Sequence, residues 1–283
     1  MKKTQLISTT VLVALGIVTV SQPVSAAGNI VSTADNKADI QFRQKDTTDE
    51  NNNDIIEPEN PGRDETIYLP STSTEDKRPT NRGPLVIDYI SDYHFNIEKM
   101  SGNNAVYYAK PAVVYGSQAD VADPNDLKNP ITVPNYVQVT DDRGTNAGWS
   151  LKVQQTADFT VNGQPVADGV DDGSALRKTT LKINNINAFK RNNNAGVLPS
   201  GVKEGSSIEL SKTGPEAPIM IAKEGEGTGS IAVLAGNVKT ANPTADKSIE
   251  LFVPGEIKKQ RNVTYQATLT WNLEDAPDKT SNP

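Results

Sequence analysis

Two tripeptides, Trp149-Ser150-Leu151 and Trp271-Asn272-Leu273, hold the only tryptophans of the chain. An indole face can stack on a sugar ring, whose C–H groups are polarised, and a flat ring needs little reorganisation to do so. The same indole can instead anchor a core, burying on the order of 200 Å². In an extended strand, Trp and the Leu two residues on share a face, roughly 7 Å apart. Trp149 thus lines up with Leu151 and Val153, and Trp271 with Leu269 and Leu273. That is the pattern of a core face, whereas a ligand platform more often lies on a loop. We therefore read both motifs as scaffold, with adjacent surface loops doing any binding; the stacking reading is the alternative.

Asp141-Asp142-Arg143-Gly144-Thr145 stands just before the first motif. It reads as a turn, with Gly144 at positive φ and an Asp accepting backbone N–H groups. Asp141, Asp142, Arg143 and Thr145 are also the candidates for polar contact with a ligand, and an Asp–Arg ion pair could fix the loop. Lys258-Lys259-Gln260-Arg261 reads as a solvated hairpin loop, or as a short-range attractor of carboxylates. In residues 224–229, Gly225, Gly227 and Gly229 alternate, but no Lys-Ser/Thr follows, so a turn is expected and not a phosphate loop.

The chain has one histidine, His94, and no cysteine, which excludes disulfides and thiolate metal sites. It carries neither a nucleophile elbow nor a zinc-binding histidine pair. Paired carboxylates could hydrolyse a glycan, but acidic residues are too many for the sequence to single out a pair. Residues 120–126 and Asp171-Asp172-Gly173 lack the ligand spacing of an EF-hand, which leaves only weak surface calcium binding open. The expectation is a non-enzymatic protein without catalytic residue, cofactor or metal.

The elements that must position these residues are strands. From Gly83, short apolar runs recur between Gly, Pro, Asn and Asp. The candidates are 84–90, 105–115, 135–140, 149–156, 181–186, 218–221, 230–235, 248–253 and 263–273. Residues 265–273 alternate apolar and polar, as a half-buried antiparallel strand does. No stretch has helical spacing. The fold class expected is all-β, an antiparallel β-sandwich-like domain with long loops.

Residues 1–26 have the layout of a secretory signal peptide. Lys2 and Lys3 are followed by an apolar stretch at 11–20 and by Val24-Ser25-Ala26, a small-residue cleavage site. The apolar stretch is too short to span a bilayer, so export without membrane insertion is expected. Residues 27–80 read as an acidic, Pro- and Asn-containing spacer, mostly disordered; residues 81–283 read as the domain. Leu69-Pro70-Ser71-Thr72 lacks the Gly of a sortase signal, Ser73 standing there instead. The net charge of −7 becomes −9 without Lys2 and Lys3, which argues against nucleic acid and against long-range attraction to anionic wall polymers.

At this point the chain resembles the WxL domain family of Gram-positive surface proteins. The residues 136–145 leading into Gly148-Trp149-Ser150-Leu151-Lys152-Val153 look like the family's first block, and residues 265–273 look like its second. Gly83-Pro84-Leu85-Val86-Ile87-Asp88-Tyr89 is similar to the start of the domain, so the resemblance covers about 83–283. It implies an extracellular protein at the cell wall, attached to peptidoglycan without a covalent bond. It also implies partnership with a membrane-anchored WxL-interacting protein and with other WxL proteins. The alternative it leaves is a structural subunit whose main ligand is that anchored protein. On this resemblance the loop at 141–145 is the candidate to meet stem peptides or amino sugars.

Overall fold

In the computed structural model the described residues are 40–41, 54–60, 66–69, 79, 82–201 and 204–277. The signal-peptide expectation lies outside them. The chain divides into residues 1–42 and 43–283, and the architecture below is that of the second unit.

Fifteen strands are found among the described residues: β1 (Leu85–Ile90), β2 (Ala105–Tyr108), β3 (Ala112–Tyr115), β4 (Pro130–Val133), β5 (Asn135–Asp141), β6 (Trp149–Gln155), β7 (Phe159–Val161) and β8 (Ala175–Leu176). They continue with β9 (Thr180–Phe189), β10 (Ser206–Leu210), β11 (Ala217–Ala222), β12 (Gly229–Ala235), β13 (Ile249–Val253), β14 (Tyr265–Gln266) and β15 (Leu269–Glu274). Two short 3-10 turns, Gln118–Val121 and Ala245–Lys247, are the helical content described. The chain is all-β, and every strand pair is antiparallel.

A large sheet runs β1-β5-β12-β9-β13-β2, with β10 also paired to β9. A three-stranded sheet, β11-β6-β15, packs on one of its faces. Between them lies the main core, with Val137, Val139, Ile231 and Val233 from the large sheet and Trp149, Leu151, Val153 and Met220 from the small one. Strands β5 and β12 also bury their opposite face, so all seven positions of β5 are inside. Tyr136, Ala232 and Leu234 there meet Val114 and Val133 of the β3–β4 hairpin, forming a second core.

That second core contains Ile55, Ile56 and Ile67. They come from the acidic stretch expected to be spacer, so buried structure begins well before residue 81. The charge of this stretch masks its few aliphatic residues, which suffice once a ready apolar face exists.

Two expected strands divide. The run at 105–115 is broken at Lys110-Pro111, where proline lacks the N–H a ladder needs; β2 joins the large sheet and β3 pairs with β4. The run at 263–273 keeps alternating burial throughout, but β14 pairs with β7 and β15 with β6. Strands β4, β7, β8 and β10 were not among those expected; each is short, and their partners, more than their own pattern, hold them.

Candidate functional site

Trp149 opens β6 and is 0 % exposed. Its Nε1–H donates to Gly227 O at 3.0 Å, so burial leaves no polar atom unsatisfied. Gly227 has φ of 80°, and a Cβ there would lie 2.5 Å from Trp149 Nε1 and 2.6 Å from Ala222 Cβ. The glycine-rich turn between β11 and β12 is thus a close-fitting cover for the indole, and only glycine fits it. Leu151, two residues on, is buried opposite Met220 and Leu273.

The second motif lies on β15, paired with β6 in the register Trp271↔Val153 and Leu273↔Leu151. Both of its apolar residues point at the main core but are half-buried, since among the described residues β15 has only β6 beside it. Trp271 therefore stands four positions from Trp149 along the strand, about 13 Å away. The two indoles brace different ends of one small sheet, with Trp149 closed to any ligand and Trp271 partly open.

The 141–145 stretch ties the Trp149 end together. Asp141 is buried at the end of β5, and Arg143 donates to it through Nε at 2.9 Å and Nη2 at 2.8 Å. The same guanidinium reaches Gly148 O at 2.7 Å and Asp275 O at 3.0 Å. Hydrogen bonding to Asp141 raises the already high pKa of Arg143, so the guanidinium stays charged at any working pH. Asp142 and Thr145 sit exposed on the loop so fixed, and Gly144 has φ of 68°.

Two further loops gather at this end. Gly225 N–H donates to Asn146 O at 2.8 Å, and Thr228 Oγ1 to Asn146 Oδ1 at 2.8 Å. Glu226 accepts from the backbone N–H of Ser200 at 2.8 Å and of Lys223 at 3.0 Å. Partial burial pushes the Glu226 carboxyl up, but these donors outweigh it and hold its pKa below the usual carboxylate value. Gly227 N–H donates to Val197 O at 2.9 Å, while Val197 itself is 58 % exposed. The result is a pinned surface of hydroxyl, amide and carboxylate groups with Val197 and Leu198 as its apolar part. Sequence reading missed Asn146, Glu226 and Val197, since their link to Trp149 runs through contacts distant in sequence.

The other expected sites are structural. Lys258 pairs with Asp171 at 2.9 Å. Lys259 Nζ donates to Ser101 O at 3.2 Å and Ile257 O at 3.0 Å. The basic cluster lies between β13 and β14, which belong to different sheets, so it is a crossover and not a hairpin loop. Asp120 accepts from Ser117 and Asn129, and Asp172 from Ser174 N–H. No group of His, Asp or Glu able to hold a metal ion occurs among the described residues. A shallow concavity lined by Pro111, Thr132, Val238, Lys239 and Pro243 offers no aromatic ring for a sugar.

A family model described as WxL domain, surface cell wall-binding, matches residues 29–277. The match begins well ahead of Gly83 and takes in the buried isoleucines at 55, 56 and 67. No curated protein and no solved structure matches the chain.

Proposed function

Because the chain belongs to the WxL family of surface cell wall-binding domains, we propose that it holds to peptidoglycan without a covalent bond, through the loop surface around Trp149. The family is one of wall binding and not of catalysis. What carries the choice of surface is the pinning of three loops by Trp149, Arg143 and Glu226, which leaves Asp142, Thr145, Asn146 and Val197 presented in fixed positions. Pre-ordered groups lose little conformational entropy on binding. Each neutral hydrogen bond adds only about 0.5–1.5 kcal/mol, so several must act together. A repeating polymer favours this, since dissociation at one repeat leaves others within reach.

The chain is acidic overall, so attraction to anionic teichoic acid contributes nothing over distance. Mature protein should therefore sediment with purified sacculi stripped of teichoic acid. Protein left in the supernatant at low salt would refute wall binding. Thr145→Ala combined with Val197→Ser should weaken sedimentation with sacculi while leaving the melting temperature within a few degrees.

A second reading has its own observation. Among the described residues, strand β15 pairs with β6 alone, so its outer edge can accept a strand from another protein. A membrane-anchored WxL-interacting protein, or another WxL protein, is the partner this reading names. It expects retention on cells to vanish when that anchored protein is deleted, with isolated sacculi binding little.

A further inference from the structure

The three loops proposed to meet the wall carry no aromatic side chain. Residues 142–148, 194–201 and 223–228 hold no Phe, Tyr or Trp, and the indole of Trp149 is closed beneath them. A pyranose offers polarised C–H groups, which an aromatic face matches and a branched aliphatic side chain does not. What the loops present instead is aliphatic, amide and charged. Val197 is 58 % exposed and Leu198 37 %. Thr145, Asn146 and Ala147 are exposed on the neighbouring loop, and the consecutive Lys223 and Glu224 are exposed on the third.

The exposure of Val197 and Leu198 is built in, because both ends of their loop are fixed. On one side, Asn194 Oδ1 accepts from Gly196 N–H at 2.8 Å while its Nδ2 donates to Ser230 O at 2.9 Å. On the other, Ser200 N–H donates to Glu226 at 2.8 Å and Gly201 N–H to Ile221 O at 3.1 Å. Between them, Val197 O accepts from Gly227 N–H, and Pro199 is buried. Both ends already lie flush on the core: a Cβ on Gly196 would strike Thr228 O, and one on Gly201 would lie 2.6 Å from Ile221 Cβ. A braced loop that keeps two aliphatic side chains in water carries a standing cost, which a ligand with apolar groups removes.

We propose that this surface reads the peptide part of peptidoglycan and not its sugar strand; the inference rests on the wall-binding reading and narrows it. Wall peptides are short, with methyl side chains, main-chain amides, a free carboxylate and, where uncrosslinked, an amine. Val197 and Leu198 suit the methyl groups. Thr145 and Asn146 supply a hydroxyl and an amide for the peptide main chain. Lys223 and Glu224 suit the carboxylate and the amine, attracting them over short range only. A few apolar contacts, given direction by a few polar ones, are how such a site selects its ligand. Exposed charge pairs contribute little each, which accords with binding through many repeats.

The test starts from sacculi stripped of teichoic acid and digested with an amidase, which separates the peptides from the glycan strands. Each pool is titrated into the full mature chain while its amide signals are followed by NMR. The peptides should shift the signals of 142–147, 196–201 and 223–228, and the glycan strands should leave them in place. Val197→Ser, at an exposed position, should raise the peptide concentration needed for half the shift about tenfold. Shifts at these loops from the glycan strands overturn the inference, as do peptide shifts that Val197→Ser leaves unaltered, or no shift from either pool. Undigested sacculi that fail to sediment the protein sink the wall-binding reading itself, whereas good sedimentation with any of those three outcomes sinks the peptide assignment alone.

Discussion

Trp149 is inside the domain and its Nε1–H is satisfied by Gly227 O, so its removal exposes both a cavity and an orphaned carbonyl. Trp149→Ala should cost about 3–5 kcal/mol in chemical denaturation. Trp271, half-buried on an edge strand, should cost roughly half as much on replacement by Ala, in proportion to the area it hides. Its exposed part also decides between the two readings of the motif. Normal wall binding by a folded Trp271→Ala chain is expected; lost binding at unchanged stability would make that ring a sugar platform. Glu226 adds a pH dependence. Its folded-state pKa lies below the ordinary value of 4.5, so its stabilisation is complete above that value and is lost as pH falls through the lower one. In a Trp271→Phe background, Trp149 emission should shift to the red on acidification through that window, and Glu226→Gln should abolish the pH dependence. The alternation of Trp with Leu and Val made the core face legible in the sequence. The cover over Trp149 was not, because Gly227 lies 78 positions away from it and a glycine in a turn gives no sign of what it covers.

Strands were legible where one face alternates or where apolar residues run together, as in β5, β6, β12 and β15. They were illegible where only a partner defines them: β8 has two residues and β4 begins with Pro130. The Asp141–Arg143 pair, foreseen as a means of fixing the loop, connects the ends of β5, β6 and β15. Arg143→Met should take the guanidinium from the buried Asp141, leaving it the backbone N–H of residue 143 at 3.0 Å, a loss of about 3–5 kcal/mol, and should speed amide exchange at 142–148 before the rest of the domain. Gly227→Ala should destabilise by a similar route, since its Cβ has no room beside the indole. The stretch read as spacer holds buried residues that its composition hides. Its carboxylates and prolines suggest a solvated chain, yet Ile55, Ile56 and Ile67 all reach the second core. Gln138→Leu removes the carboxamide that bonds Asp54 O and Ile56 N–H and should release it, seen as new proteolytic cleavage within 54–69.

In the unit of residues 43–283, a large antiparallel sheet is covered on one face by the small motif-bearing sheet and on the other by the β3–β4 hairpin with Ile55, Ile56 and Ile67. The all-β class, the core-facing alternation of the two motif strands and the family were legible, because they rest on local patterns. The second core was not, because it joins residues about 80 positions apart. Wall binding follows from the family, whereas the loop surface around Trp149 is our proposal, so everything turns on where the wall touches the protein. Amide exchange measured with and without purified sacculi tests this most directly. Slowed exchange at 142–147, 196–201 and 223–228, with other loops unchanged, is the result predicted. Protection along β15 or around Lys258, with those three loops exchanging as freely as before, would contradict it.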